Sequence, residues 1–330
     1  MSPRYELSRI RTSLETERPP RAQAPWNCCA ILVETIMADN SETEERLPGE
    51  AHSLPQMTNP GGLVQAVEIA PVASAVPPPA PAIEIVELRK DYNGFFAVDG
   101  LTVTVPAGCF FGFLGPNGAG KTTTIRMLMG LAQPTSGSIK VLGLPLPEKS
   151  YEIRKEIGLV PDDSLLFDHL TGAEYLQFVA RMYGLPRPVA IERARELMSL
   201  FELDEREKKL IGEYSKGMRK RVAMAAALIH RPRLFLMDEP FEGVDAVGAR
   251  LMKDILLEQV RRGCTIFLTS HVLEVVERLC DRLAIINRGK ILVEGTLNEL
   301  RAQAAESSGT LEEIFVRVVG AKPSEKLDWL

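Results

Sequence analysis

The sequence predicts an α/β fold built on a largely parallel sheet, and three observations support this. Short continuous apolar runs, "CFFGFLG", "IGLV", "RLFLMD", "CTIFLTS" and "RLAII", have the length and uniformity of strands buried on both faces. Helical patterns lie between them, the alternation that produces crossover connections and parallel strands. Ahead of them, "IEIVEL" and "LTVTV" alternate apolar with polar residues, as strands of an antiparallel element do.

Taken in order, residues 1 to 82 show no sustained periodicity, and "PVASAVPPPAPA" ends them as a proline-rich spacer expected to be extended. The expectation is a disordered N-terminal extension. Its one apolar patch, "CCAILVETI", is too short and isolated to build a core, and Met37 and Met57 are candidate translation starts that N-terminal sequencing of the natural product would test. Order is expected from Ile83 to about Gly320, with a tail over 321–330. Between about Leu165 and Gly217 the pattern is helical only. There "TGAE" forms a capping box at Thr171, and Val189, Ala194, Leu197, Met198 and Phe201 form the apolar set of a second helix. This reads as an all-helical subdomain. After the last buried run, "NRGKILVEG" predicts a hairpin, and "TLNE" at Thr296 and "TLEE" at Thr310 predict two further helix starts.

Composition narrows the classes of function. The 330 residues are 45% hydrophobic and 25% charged, enough to bury one or two ordinary cores. A formal net charge of -5 argues against whole-domain affinity for nucleic acid or anionic lipid, and no nucleic-acid partner is expected. Cys28, Cys29, Cys109, Cys264 and Cys280 have neither metal-site nor disulfide-framework spacing, so they are read as inert thiols in a reducing compartment. No run approaches the ~18 apolar residues of a membrane span.

The chemistry is concentrated at "GPNGAGKTT", which follows the strand "CFFGFL" and opens the helical "TIRMLMGLA". This is the phosphate-loop pattern in the context the motif requires. Gly115, Gly118 and Gly120 let backbone N–H groups turn toward phosphate oxygens, Asn117 lies between them, and the helix N-terminus adds a positive dipole end. Lys121 reaches the β- and γ-phosphates, the Thr122 hydroxyl suits Mg²⁺, and Thr123 follows. "RLFLMDEP" supplies the acidic partner: Asp238 ends an apolar strand where a carboxylate holds Mg²⁺, and Glu239 suits a general base for the attacking water. The plain alternative is a solvated acidic pair after a core strand.

With these residues in place, the run from Ile83 to about Gly320 resembles the nucleotide-binding subunit of an ABC transporter. "GPNGAGKTT" and "LFLMDEP" resemble its Walker A and Walker B motifs. "YSKGM" resembles its signature, "EGVD", ending at Asp245, its D-loop, and "LTSH", ending at His271, its switch-histidine loop. The resemblance implies a P-loop ATPase fold in which two subunits pack head to tail with ATP and Mg²⁺ between them. It implies that Ser215 and Gly217 bind the γ-phosphate of the partner's nucleotide, that Asp245 orients the two sites, that His271 senses the γ-phosphate, and that Tyr92 stacks on adenine. Two of these have a plain structural alternative, an edge tyrosine for Tyr92 and a structural histidine for His271. Lys216, Arg219, Lys220 and Arg221 read either as a field favouring the triphosphate or as a solvated helix face.

The sequence departs from the family pattern in three places. Asp162 stands where a Gln usually ligates Mg²⁺, Lys216 and Met218 replace signature residues, and Phe241 and Glu242 replace small polar ones. "YSKGM" and "LEEIFVRVVG" resemble the ATP-binding subunits of two-component exporters, which pair with a separately encoded permease. That implies an ATPase, cytoplasmic and peripheral on the membrane through its permease, dimeric with itself or a paralogue. The competing reading is a soluble ABC-type ATPase that assembles or remodels something without a membrane partner. A regulator that binds nucleotide without turnover is disfavoured by the intact Lys121, Asp238, Glu239 and His271. If Asp162 contacts the metal, Asp162→Ala alters the Mg²⁺ dependence or the rate of ATP hydrolysis in a titration of activity against Mg²⁺; no change in either removes it from the metal site.

Overall fold

The computed structural model describes residues 80–163, 166–204, 208–303 and 310–320. The expected N-terminal extension lies outside the described residues except for its last three, and the expected tail 321–330 lies outside them altogether.

Strands β1 (Ile83–Tyr92) and β2 (Phe95–Val105) pair antiparallel across Asn93-Gly94, both at positive φ, 54° and 89°. Asn-Gly suits this two-residue hairpin because its turn requires left-handed backbone at both positions. Strand β3 (Phe110–Leu114), the "CFFGFL" run, then leads through the glycine-rich loop into helix α1 (Lys121–Leu128). Next come β4 (Ser136–Val141), β5 (Leu144–Leu146) and the short helix α2 (Ser150–Lys155), none of which the sequence reading anticipates. In "SGSIKV" only Ile139 and Val141 are buried, so the alternating signal is too short to stand out. β4 pairs with β1 and β5, giving a four-stranded antiparallel sheet in the order β2-β1-β4-β5.

The second sheet is formed by β3 with β6 (Ile157–Val160), β7 (Leu234–Asp238), β8 (Thr265–Ser270), β9 (Arg282–Asn287) and β10 (Lys290–Gly295). Its order is β10-β9-β3-β8-β7-β6, parallel throughout except for β10, which returns antiparallel beside β9 as the predicted hairpin. Every residue of β3, β7 and β8 is buried, which explains their unbroken apolar character. Phe267 stacks on Phe111 at 5.8 Å between ring centres and tilts against Phe113 at 5.2 Å. Because the strands are parallel, the loops after β3, β7 and β8 emerge at one edge, where α/β sheets bind ligands.

Helices α3 (Gly172–Met182) and α4 (Arg187–Leu200) and a 3-10 turn at Ile211–Glu213 occupy the segment predicted to be helical. Thr171 and Glu174 exchange the two bonds of the capping box. In α4 the buried stripe is Ala190, Ala194 and Met198, one helical turn apart, continued by Phe201 just past the helix. Val189 and Leu197 flank that stripe and are only half-buried. Helix α5 (Lys216–Leu228) returns to the sheet, and α6 (Ala246–Arg261) and α7 (Leu273–Leu279) cover it. Gly158 of β6 admits α5, since a Cβ there would lie 2.6 Å from the Ala227 carbonyl oxygen. Thr296 and Thr310 cap α8 (Leu297–Gln303) and α9 (Leu311–Val319), each bonded reciprocally to a Glu three residues on. Among the described residues no helix is long and apolar enough to cross a membrane.

His230, just after α5, ties the helical segment to the sheet. Its ring stacks on Tyr183 at 3.6 Å, and its Nε2–H donates to the Ile157 carbonyl at 3.0 Å. Nδ1 is buried without a partner, and burial pushes the ring's pKa down from 6.5 to about 4. The unfolded chain therefore takes up a proton here at a higher pH than the native protein, so stability falls as pH drops from 6.5 toward 4. Between pH 7 and pH 5 this amounts to about 2 kcal/mol of unfolding free energy. Urea unfolding at those two pH values is expected to show His230→Phe losing that much less than the parent chain; equal losses would assign the pH dependence elsewhere.

Candidate nucleotide-binding and catalytic site

The loop from Gly115 to Gly120 is shaped by close backbone approaches. A Cβ at Gly115 would lie 2.3 Å from the Ile286 carbonyl oxygen on β9, and one at Gly120 would lie 2.4 Å from that of Ala97 on β2. Gly120 also has φ 110°, a conformation that other residues rarely adopt. The loop is thus pressed against both sheets. α1 begins with neither an acidic residue in its first turn nor a capping side chain, so its dipole end is not neutralised from within. Lys121, 7% exposed, folds back so that Nζ donates to the Gly115 carbonyl at 2.7 Å and lies 3.3 Å from Glu239 Oε1.

Asp238 and Glu239 are adjacent but turn to opposite kinds of partner. Asp238 accepts from the Thr122 hydroxyl at 2.7 Å and from the Thr269 hydroxyl at 2.5 Å. Glu239 leaves the strand at φ 47°, an unfavourable backbone state that costs on the order of 1–3 kcal/mol and recurs at functional sites. Its Oε2 accepts from the His271 backbone N–H at 3.2 Å and lies 3.0 Å from His271 Nδ1. Its Oε1 is buried and has no hydrogen bond, only the nearby Lys121 charge. Repulsion between neighbouring carboxylates is relieved because hydroxyls hold one and the Lys121 ammonium faces the other.

A cleft of about 270 Å³ collects Asn117, Gly118, Gly120, Lys121, Thr122, Thr123, Asp162, Asp238 and Glu239. Three stretches far apart in sequence therefore meet in one place. Partial burial raises the Asp162 carboxyl from its ordinary pKa, while Lys220 opposes the shift. Its Oδ1 lies 3.6 Å from Lys220 Nζ. Thr122, Asp238 and Asp162 all line this cleft, and their side chains carry oxygen donors, the type a hard divalent cation takes.

Phe95 also lines this cleft and is 66% exposed, a residue the sequence reading did not select. Tyr92 does not line it. The two face each other across the β1–β2 hairpin, and Lys90 Nζ lies 4.9 Å over the Tyr92 ring. The only sequence signal for Phe95 was an aromatic pair directly after Asn-Gly. Ser215 and Gly217 lie outside the cleft. Ser215 caps α5 by accepting from the Met218 N–H at 3.2 Å, and Asp245 caps α6 by accepting from Gly248 N–H at 2.8 Å.

The charges of the basic knot after Ser215 are paired or bonded, and among them only Lys216 is exposed. Lys216 pairs with Glu242 at 2.8 Å, Arg219 with Asp168 at 2.6 Å, and Arg221 donates to the Phe201 carbonyl at 3.1 Å. Lys220 is 1% exposed, and burial lowers its pKa from the ordinary lysine value. Glu242, unexplained from sequence, thus partners the unusual signature residue Lys216. Phe241 lies 5.6 Å beneath Lys253 Nζ. Thr269 was also overlooked, because a hydroxyl inside an apolar strand reveals its partner only once β7 and β8 are paired.

A phosphate loop after a central parallel strand, with an acidic pair ending a strand two places away, defines a P-loop nucleoside triphosphatase. The ABC transporter family model matches residues 98–242. The daunorubicin/doxorubicin resistance ATP-binding protein DrrA of Streptomyces peucetius is 40% identical over 68% of this chain and 68% of its own length. The bacitracin transport ATP-binding protein BcrA of Bacillus licheniformis is 39% identical over 66% of this chain and 71% of its own. A solved ATP-binding subunit of an ABC transporter superposes with a TM-score of 0.68 at 31% identity, covering 72% of this chain and 99% of that one. The chain belongs to the ABC transporter family, as one of its ATP-binding subunits.

The tight fit of the loop generates a direct test. Gly120→Ala forces a Cβ against the Ala97 carbonyl at a left-handed φ, with an expected stability loss of about 1–3 kcal/mol in urea unfolding. ATP binding, measured by equilibrium dialysis, is expected to fall with it.

Proposed function

We propose that this chain hydrolyses ATP at an interface shared with a second copy or a paralogue, and that the cycle powers export through a separately encoded membrane permease. One observation carries the reading: the phosphate loop, the oxygen donors and the buried Glu239 share one cleft, while Ser215 and Gly217 stand outside it. A signature that lies outside the cleft of its own phosphate loop suits a site completed by another subunit. Relatives named for drug resistance and bacitracin transport support export as the direction. The subunit sits on the inner face of the cytoplasmic membrane, held there by the permease.

The loop amides and the α1 N-terminus hold the phosphates, and Lys121 turns from Gly115 and Glu239 toward the β- and γ-oxygens. That movement removes the cation from Glu239 Oε1 and leaves a carboxylate able to accept a proton from the attacking water. Thr122, Asp238 and Asp162 would hold Mg²⁺, which would neutralise charge on the phosphates. His271, which faces Glu239 Oε2, holds both the γ-phosphate and the orientation of the base. Phe95, which lines the cleft, and Tyr92, paired with it across the hairpin, offer flat apolar surface for the adenine ring. Across the interface Ser215 and Gly217 contact the γ-phosphate, and Asp245 orients the two sites. Nucleotide affinity that differs between the closed and open pair supplies the work.

Glu239→Gln keeps the shape of the site and removes the base. Turnover is expected to fall by about 10²–10⁴-fold while ATP still binds, so that size-exclusion chromatography with ATP shows an accumulated dimer. Normal turnover in this variant would remove Glu239 from the role, and full activity of a strictly monomeric protein at every dilution would remove the shared site.

A further inference from the structure

Lys220 is a buried lysine that none of the site roles above uses. A desolvated ammonium has three N–H donors to satisfy, and an unmet donor in an apolar setting is costly. All three find backbone carbonyls: Pro161 at 3.0 Å, Asp162 at 2.5 Å and Glu239 at 3.2 Å. Two of them belong to the loop that carries Asp162 into the cleft, and the third belongs to Glu239 itself.

We propose that Lys220 is a positioning residue for ATP hydrolysis, a three-way tie that fixes the Glu239 backbone and the Pro161–Asp162 loop relative to each other from within helix α5. The proposal rests on the reading of Glu239 as the base. The carbonyl of Glu239 is anchored at the residue with φ 47°, so the bond helps to hold a backbone state that directs the carboxylate toward Lys121 and His271. On the other side it holds the loop that leads from β6 into the helical segment. Lys220 also lies five residues past Ser215, about 7.5 Å along the axis of the same helix. A displacement of the α5 N-terminus by the opposing nucleotide therefore reaches both the base and the Asp162 loop through a single side chain. Phosphate-loop contacts are not part of this tie, so it acts on turnover rather than on nucleotide affinity.

The test compares ATPase kcat and KM for the full chain carrying Lys220→Met, which fills the volume without donors, and Lys220→Arg, which restores them. The Met variant is expected to lose about tenfold or more in kcat with KM changed less than about twofold, and the Arg variant to recover most of that loss. Unchanged kcat in the Met variant, equal losses in both variants, or a loss confined to KM would each overturn the proposal. If the Met variant does not fold, Lys220→Gln replaces it, with two donors for three carbonyls. Its kcat is expected about threefold to tenfold below the parent at unchanged KM, and parental kcat would overturn the tie. Glu239→Gln run in parallel separates the outcomes, since its failure to lower turnover rejects the base, whereas a normal Lys220 variant beside an inactive Glu239 variant rejects only the tie.

Discussion

The site depends on a buried lysine closing the loop that precedes it. Lys121 reaches back to the carbonyl of Gly115, where that loop begins, while facing the carboxylate that ends a strand two places away. A single side chain thereby sets the distance between the phosphate loop and the acidic pair. The geometry holds because Gly115 and Gly120 let the loop lie against β9 and β2 without a Cβ in the way. Burying an ammonium is tolerable only with such partners, and the same condition makes it a strong point of attraction for phosphate.

Lys220 follows the same logic one layer away. Lys121 answers to a carbonyl and a carboxylate, and Lys220 to three carbonyls and the distant edge of Asp162. Around it lie residues that depart from the family pattern. Glu242 pairs with Lys216, and its charge also acts on Asp162 and Lys220. The substitutions that look unrelated in the sequence therefore belong to one electrostatic neighbourhood. An acid at position 162 is accompanied by cations nearby, and a lysine in the signature is accompanied by an acid. The Lys216–Glu242 pair is exposed and individually weak, so its role is to set local charge rather than to hold the fold together.

Much of the fold was legible because its signals are local. A strand buried on both faces must be apolar throughout, and the five runs read that way became the five parallel strands. The capping boxes at Thr171, Thr296 and Thr310 were equally visible, since each is a bond between residues three apart. β4 and β5 escaped because a short, half-exposed pair of strands has too few buried positions to show a period. The buried stripe of α4 shifted from the expected set to include Ala190, which an apolar count undervalues because alanine is small.

By itself, the sequence determined the α/β class, the phosphate loop, the acidic pair and the family, because each is written in contiguous residues whose spacing is fixed by the chain. Only the tertiary structure decided which partners those residues meet. It brought Thr269 to Asp238, Phe95 into the cleft, Glu242 to Lys216, and Lys220 to carbonyls 58, 59 and 19 residues away. The physical reason is desolvation. A lysine reads as a surface charge in any one-dimensional pattern, and whether it is instead buried and fully bonded depends on what the rest of the fold packs around it.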